Sequence, residues 1–289
     1  FKFFAPSMHE EILSHHRFET DLKDAVARGQ FQLLYQPQVR LADHRIDVVE
    51  SVLHWNHPER GRMGPSEFTK VAEETGHIIP IGLWVIEEVC RQLKRWETAG
   101  VPVPRVAINI APVHFHQPDF PDALRTVLQS HSVDPGLIEL ELAEGALIQD
   151  PDGTRDCLRA LKKLGVRLAI DEFGAGYSCL KYLRQFPLDV LKIDRSFVSD
   201  LDTNKDGQVM CSAILSIAHR LSLDAVADGI ESEGQVSFLT RNDCQYGQGN
   251  YFSALVDAEQ IGALMVKSGG QDTRRRRVTS RPRTAPKAG

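Results

Sequence analysis

The chain has 289 residues, 42% hydrophobic and 25% charged, the balance of an ordinary globular protein long enough for one large α/β domain or two small ones. Its net charge of −5 is uneven: seven basic residues (Arg274, Arg275, Arg276, Arg277, Arg281, Arg283, Lys287) against Asp272 put +6 on residues 271–289 and −11 on the rest. An acidic body argues against nucleic acid as the main partner, and no apolar run reaches the roughly 18 residues of a membrane span.

No secretory leader is visible, and the first residue is Phe1 rather than Met, as expected of a piece of a longer chain. The five cysteines (Cys90, Cys157, Cys179, Cys211, Cys244) form no CxxC pair and read as reduced thiols in a cytoplasmic setting.

Residues 7–29 read as a leading helix, with Met8, Ile12, Leu13, Leu22 and Ala25 at loose helical spacing. Phe31–Val39 alternates as a strand, and Ile46–Trp55 follows as a second. Residues 56–65, rich in Gly and Pro, read as a loop. Two helices come next, Ser66–Thr75 and Ile81–Thr98, the second striped by Trp84, Val85, Val89, Leu93 and Trp96 and ended by Gly100.

Arg105–Ala111 is the third strand, Phe120–Ser130 a helix, and Leu137–Glu144 the fourth strand. Asp150-Pro151 starts a helix with an acid cap and proline at its first position, and Gly165 ends it. Val166, Leu168, Ala169 and Ile170 make a buried fifth strand that ends in two acids, Asp171 and Glu172, and then the Gly174/Gly176 loop. Neighbouring acids on a strand point to opposite faces, though at a strand end both can lean toward one cation. The sixth strand is Asp189–Asp194, the seventh Leu223–Asp228 and the eighth Gln245–Phe252, with helices between; Ala258–Val266 closes the domain. From Lys267 the Gly/Arg/Thr/Pro-rich composition predicts a disordered tail.

Eight strands separated by helices over about 240 residues predict a (β/α)8 TIM-like barrel. A doubly wound open sheet competes, weakened by the lack of a GxGxxG after the first strand. In a barrel the site lies at the strand carboxyl ends. Those ends carry Glu50, Asn109, Glu141 and Glu144, Asp171 and Glu172, Lys192, Asp228 with Glu231, and Gln248. Packing alone does not gather so much like charge, whereas divalent cations that prefer oxygen ligands remove the objection. Enough acids are present for two metals sharing one bridging carboxylate, an arrangement suited to phosphodiester hydrolysis.

The ordered motifs resemble the EAL domain, the cyclic di-GMP phosphodiesterase module of bacterial signalling proteins. The resemblance runs from about Phe31 to Ala263 and rests on Tyr35-Gln-Pro37, His57-Pro-Glu59 and the Asn109 strand. It continues in Glu141-x-x-Glu144, Asp171-Glu-Phe-Gly-Ala-Gly-Tyr-Ser178, Leu191-Lys-Ile-Asp-Arg-Ser-Phe197 and Gln248-Gly249. It implies a barrel whose first strand runs antiparallel to the rest, and a reaction that opens cyclic di-GMP to linear pGpG with two Mg²⁺ or Mn²⁺ ions. By resemblance Glu50, Asn109 and Glu141 are ligands of the first ion and Asp171 bridges. Glu172 and Asp228 then belong to the second ion, and Lys192 contacts the attacking water or the phosphate. Glu144 and Glu231 look like acids that hold the loop after the fifth strand. Gln36 and Gln248 look like nucleotide contacts, with His54 where a phosphate-binding arginine is usual.

The departures are specific. The signature Glu-Ala-Leu is Glu50-Ser51-Val52, and the arginine two residues on is His54, one donor in place of a fixed fork. The Thr and Ser flanking the second acid of the fourth strand are Ala143 and Gly145. The usual Asp-Asp is Asp171-Glu172, and the usual Ala-Glu-Gly is Ala227-Asp228-Gly229, so one acid is longer by a methylene and the other shorter. We hypothesise that the two changes compensate around one ion. The alternative reading is a degenerate domain that binds cyclic di-GMP, or another protein, without hydrolysis.

The divisions expected are a linker helix from a preceding domain (1–30), the barrel (31–268) and a basic tail (269–289). Phe1–Met8 resembles the trailing edge of a GGDEF domain, so a GGDEF or sensor domain is the expected partner in the longer chain, with membrane anchoring of that chain and a homodimer left open. Three other signals are discounted. Asp202-Thr-Asn204-Lys-Asp206-Gly207 copies half a calcium loop, but its twelfth position is Ala213, so it reads as a helix cap. His114-x-His116 lacks further zinc ligands. Arg274–Arg277 reads as a solubilising tail rather than a binding patch.

Overall fold

Alternate residues along the strands are pulled to two different cores, and this closes the sheet. The computed structural model describes residues 6–174 and 180–279. Its strands are β1 (Phe31–Arg40), β2 (Ile46–His57), β3 (Gly61–Met63), β4 (Arg105–Ile110), β5 (Ile138–Ala143), β6 (Arg167–Phe173), β7 (Val190–Ile193), β8 (Asp224–Ala227) and β9 (Tyr246–Gly247). On β4, Val106, Ile108 and Ile110 face the outer core, where they join Leu140 and Leu142 of β5, Leu168 and Ile170 of β6, and Val85, Val89 and Leu93 of the helix Ile78–Thr98. Residues of opposite parity, Ala169, Val190 and Val226 with Tyr246, form a separate small cluster. That is the interior of a barrel filled by inward side chains. Each fully buried Leu or Ile contributes about 1.5–3 kcal/mol.

The sheet order is β1-β9-β8-β7-β6-β5-β4-β2 with β1 also paired to β2, a closed eight-stranded barrel with β3 outside as a hairpin on β2. β1 runs antiparallel to both neighbours, Gln36 opposite Glu50 and Val39 opposite Gly247. The other neighbours are parallel, Asn109 beside Glu141 and Ala143 beside Asp171. The TIM-like architecture and the antiparallel first strand are therefore as expected, and the open sheet is excluded.

Three boundaries differ from the sequence reading. Residues 56–65 are not all loop: β2 runs to His57 and β3 pairs back on it, Met63 opposite Trp55. The eighth barrel strand is only Tyr246–Gly247. It stops because Gly249 turns at φ 147°, with its α-carbon so close to Ile230 that a Cβ would lie 2.2 Å from that carbonyl oxygen. The closing helix Ala258–Thr279 continues past Val266. Arginine is a good helix former, and no proline occurs between Val266 and Pro282; residues 280–289 of the tail lie outside the described residues.

The helix Pro6–Ala25 leads into β1. Its Phe18, Leu22 and Ala25 are buried with Phe31, Trp55, Met63 and Phe68 in a second core. Phe18 lies 5.1 Å from the Trp55 ring, and Asp21 approaches His57 Nε2 at 3.4 Å. At the amino ends of the strands, Glu139, 1% exposed, accepts from Arg167 Nε at 3.2 Å, and burial holds its carboxyl above the usual range despite that arginine and Arg105. No helix among the described residues is long and apolar enough to cross a membrane.

Candidate active site

The strand ends bring the acids to one place around a buried cation. Lys192 on β7 is 1% exposed. Its ammonium donates to Glu141 Oε2 at 2.8 Å, Asp171 Oδ2 at 3.1 Å and Glu50 Oε2 at 3.2 Å. Asn109 Nδ2 donates to Glu50 Oε1 at 2.6 Å. Gln248 Nε2 donates to Glu50 Oε2 at 2.6 Å and to Gln36 Oε1 at 2.9 Å, while Gln36 donates to the Ser253 carbonyl at 3.0 Å. Six strands and the β9 end thus share one hydrogen-bonded cluster. A cavity of about 390 Å³ opens beside it, lined by Glu50, Asn109, Glu141, Asp171 and Glu172 and continuing to Thr69, Ile81 and His114.

Negative charge exceeds positive here, and the proton affinities record it. Burial, with Glu50 and Asp171 close by, pushes the Glu141 carboxyl well above the usual range. Burial, Glu50 and Asp171 also raise Asp228, against the pull of Lys192. Burial alone would raise Glu50 too, but the Lys192 ammonium and the amides of Gln248 and Asn109 hold it below its ordinary value. Lys192, although burial opposes its charge, is held well above the usual range by Asp171, Glu141, Glu50 and Asp228. One lysine does not balance these acids.

Glu172 differs from the rest. It is the next-to-last residue of β6, in the left-handed region at φ 55°, and its amide donates to Asp171 Oδ1 at 2.8 Å. Its carboxyl is raised by burial, Asp171 and Asp194. Asp228 begins the turn after β8, its side chain accepting from Gly229 N at 2.7 Å. Glu144, 3% exposed, accepts from Gly174 N at 3.1 Å and so grips the chain just past β6; Ala175–Cys179, with the rest of that motif, lie outside the described residues. Glu231 pairs with Arg195 at the surface. His54 is half-buried with Nδ1 3.5 Å from the Val52 carbonyl, and the 390 Å³ cavity wall does not include it. Gln248 is 2% exposed with its amide hydrogens spent on Gln36 and Glu50, a contact that orients Glu50, and its Oε1 has no partner.

Among the described residues no three His, Cys, Asp or Glu side chains form a ready cage for an ion. The chemistry of the donor set nevertheless fits one. The candidate donor atoms are carboxylate and amide oxygens, which hard divalent cations prefer. Burial and neighbouring acids raise the carboxyls of Glu141, Glu172 and Asp228, and a cation among them would offset the repulsion.

Three contributors escaped the sequence reading. Gln38, 1% exposed inside the barrel, donates to Glu141 Oε1 at 3.2 Å. Its signal was parity with Gln36 on β1. Asp194 follows β7, two residues past Lys192, and presses on Glu172 electrostatically while capping Ser196 N at 2.9 Å. His114, discounted above as a zinc ligand, is buried in the cavity wall against Phe120 and Gly82. The half calcium loop is a cap, Asn204 accepting from Asp206 N at 3.0 Å.

Comparison with known proteins meets this geometry. MucR of Pseudomonas aeruginosa, a bifunctional diguanylate cyclase/cyclic di-GMP phosphodiesterase, is 37% identical over 264 residues, 91% of this chain and 38% of MucR. The cyclic di-GMP phosphodiesterase NbdA of the same organism is 36% identical over 252 residues, 87% of this chain and 32% of NbdA. The chain therefore spans about a third of the length of the curated relatives it matches. The solved PaMucR phosphodiesterase in complex with c-di-GMP superposes with a TM-score of 0.81 at 38% identity, covering 85% of this chain and 99% of that one. The family model described as EAL domain matches residues 19–254, so its match begins inside the leading helix. With the barrel, its reversed first strand and this match over most of its length, the chain belongs to the EAL domain family.

Proposed function

We propose that the chain hydrolyses cyclic di-GMP to linear pGpG, as a cytoplasmic module of a longer signalling protein. The observation that carries the reading is the Lys192 cluster: three carboxylates on one buried ammonium, with the further acids Glu172 and Asp228 raised by burial and by the neighbouring acids. The relatives named as phosphodiesterases support it.

Glu50, Asn109, Glu141 and Asp171 are the residues we assign to a first Mg²⁺ or Mn²⁺ ion, and Asp171, Glu172 and Asp228 to a second. When bound, such ions activate water and neutralise charge at phosphorus. The protein's own share is positioning. Asn109 and Gln248 fix the two oxygens of Glu50, Gln38 fixes Glu141, and Glu144 holds the backbone that follows Glu172. Lys192 places a permanent cation where an attacking water or a phosphate oxygen needs stabilising. The apolar continuation of the cavity past Ile81 excludes water from one side. A GGDEF or sensor partner domain and a homodimer belong to the same proposal.

A second reading, binding without turnover, has one observation in its favour. His54 stands where the family places arginine, and it is turned to its own backbone. Incubation with cyclic di-GMP and Mg²⁺ or Mn²⁺, with pGpG quantified, separates the two.

A further inference from the structure

A cavity of about 380 Å³ lies outside the barrel, between the connection leaving β4 and the helix Pro151–Leu164. Phe115, Pro118, Pro121 and Ala160 supply apolar wall. Thr154, 2% exposed, also lines it, and its Oγ1 has no hydrogen-bond partner; the same is true of His116 Nε2. A helical threonine ordinarily spends its hydroxyl on the carbonyl four residues back. Here only the Thr154 amide reaches Asp150 O, at 2.8 Å. Burying an unpartnered hydroxyl destabilises a fold, and valine would fill the same space without that cost. Asp150 and Asp156 also line it, Asp156 lying 3.9 Å from Arg155 and 4.0 Å from Arg159, and no Lys or Arg is among the lining residues.

We propose that this cavity is a second ligand site, for a small planar heterocycle of nucleobase type, neutral, bearing N–H donors and carrying no phosphate. Flat proline and phenylalanine surfaces suit a ring face. The Thr154 hydroxyl and the Asp150 carboxylate accept N–H donors, and Asp150 repels an anion. The volume lies near the lower end of the roughly 300–1,000 Å³ of small-molecule pockets. The seat adjoins the helix Pro112–Phe115 that follows Asn109, and Asp150, which follows the helix Glu144–Ile148 at the end of β5. An occupant therefore bears on both connections that leave the barrel mouth.

The test is calorimetry on the whole chain with adenosine, guanosine, cytidine and uridine, and with their 5′-monophosphates. At least one nucleoside is expected to bind, and its monophosphate about tenfold more weakly. Thr154→Val should weaken binding about tenfold while leaving the melting temperature equal or higher, because the lost hydroxyl has no partner in the fold. Ala160→Phe fills the space and should abolish binding. Asn109→Ala, in the barrel mouth, should leave it unchanged. Absence of binding by all four nucleosides, undiminished affinity in Thr154→Val and Ala160→Phe, or loss in Asn109→Ala alone would overturn the proposal.

Discussion

Replacing Lys192 by methionine removes the only positive charge that touches Glu50, Glu141 and Asp171 among the described residues. Methionine keeps most of the side-chain volume, so the change is chiefly electrostatic. The ammonium makes three charge-assisted hydrogen bonds of 2.8–3.2 Å at a site 1% exposed. Breaking a buried ion pair by deleting one partner costs about 3–5 kcal/mol, because the remaining charge stays buried. Here three carboxylates remain, so the metal-free variant should lose at least that much at neutral pH. Urea denaturation with EDTA measures it. Mn²⁺ should then restore about 2.7 kcal/mol if its free concentration reaches about a hundredfold the dissociation constant. Adding Glu141→Gln should cost less in Lys192→Met than in the parent, since both act through one contact. Unchanged stability in Lys192→Met, or strictly additive losses, would refute the cluster as the organising feature of the mouth.

Three further outcomes follow from the same geometry. Burial pushes His114 down to about 4, whereas the unfolded chain takes its proton near pH 6.5. Between those values the unfolded state holds more protons, so stability is full above about pH 6.5 and falls by about 3 kcal/mol as the pH drops to about 4. His114→Gln should flatten that part of the pH profile in urea titrations, and an unaltered slope would show that His114 is not its source. His54→Arg should tighten cyclic di-GMP binding by about 1–3 kcal/mol through a charge-assisted phosphate contact, read by calorimetry. Glu172→Asp and Asp228→Glu should each lower turnover at fixed Mn²⁺, and the double variant should recover more than the two singles predict; additive effects would mean that the two acids share no ion.

Much of the barrel was legible because buried parallel strands announce themselves as apolar runs, as at Val166–Ile170 and Val106–Ile110. The strand ends then located Glu50, Asn109, Glu141, Asp171, Lys192 and Asp228. The direction of β1 was not legible from its own residues, since alternation is the same in either direction; only family resemblance supplied it. Strand β3 escaped because three residues, the first a glycine and followed by Gly64-Pro65, carry no period, and its pairing depends on the hairpin register with Trp55. Phe18, Leu22 and Ala25 do sit at helical spacing, so the burial of the leading helix was readable. Gln38 and Asp194 illustrate a deeper limit. Their chemistry is ordinary in isolation, and what makes them functional neighbours is parity across a closed barrel.

The most direct measurement is product formation. The chain is incubated with cyclic di-GMP in Mg²⁺, in Mn²⁺ and in EDTA, and linear pGpG is separated and quantified, alongside Asp171→Asn. We expect pGpG with at least one metal, none with EDTA, and none from the variant, in which the proposed bridging carboxylate loses its charge. Tight binding of cyclic di-GMP with no pGpG in either metal, or turnover that survives EDTA or Asp171→Asn, would contradict a two-metal phosphodiesterase.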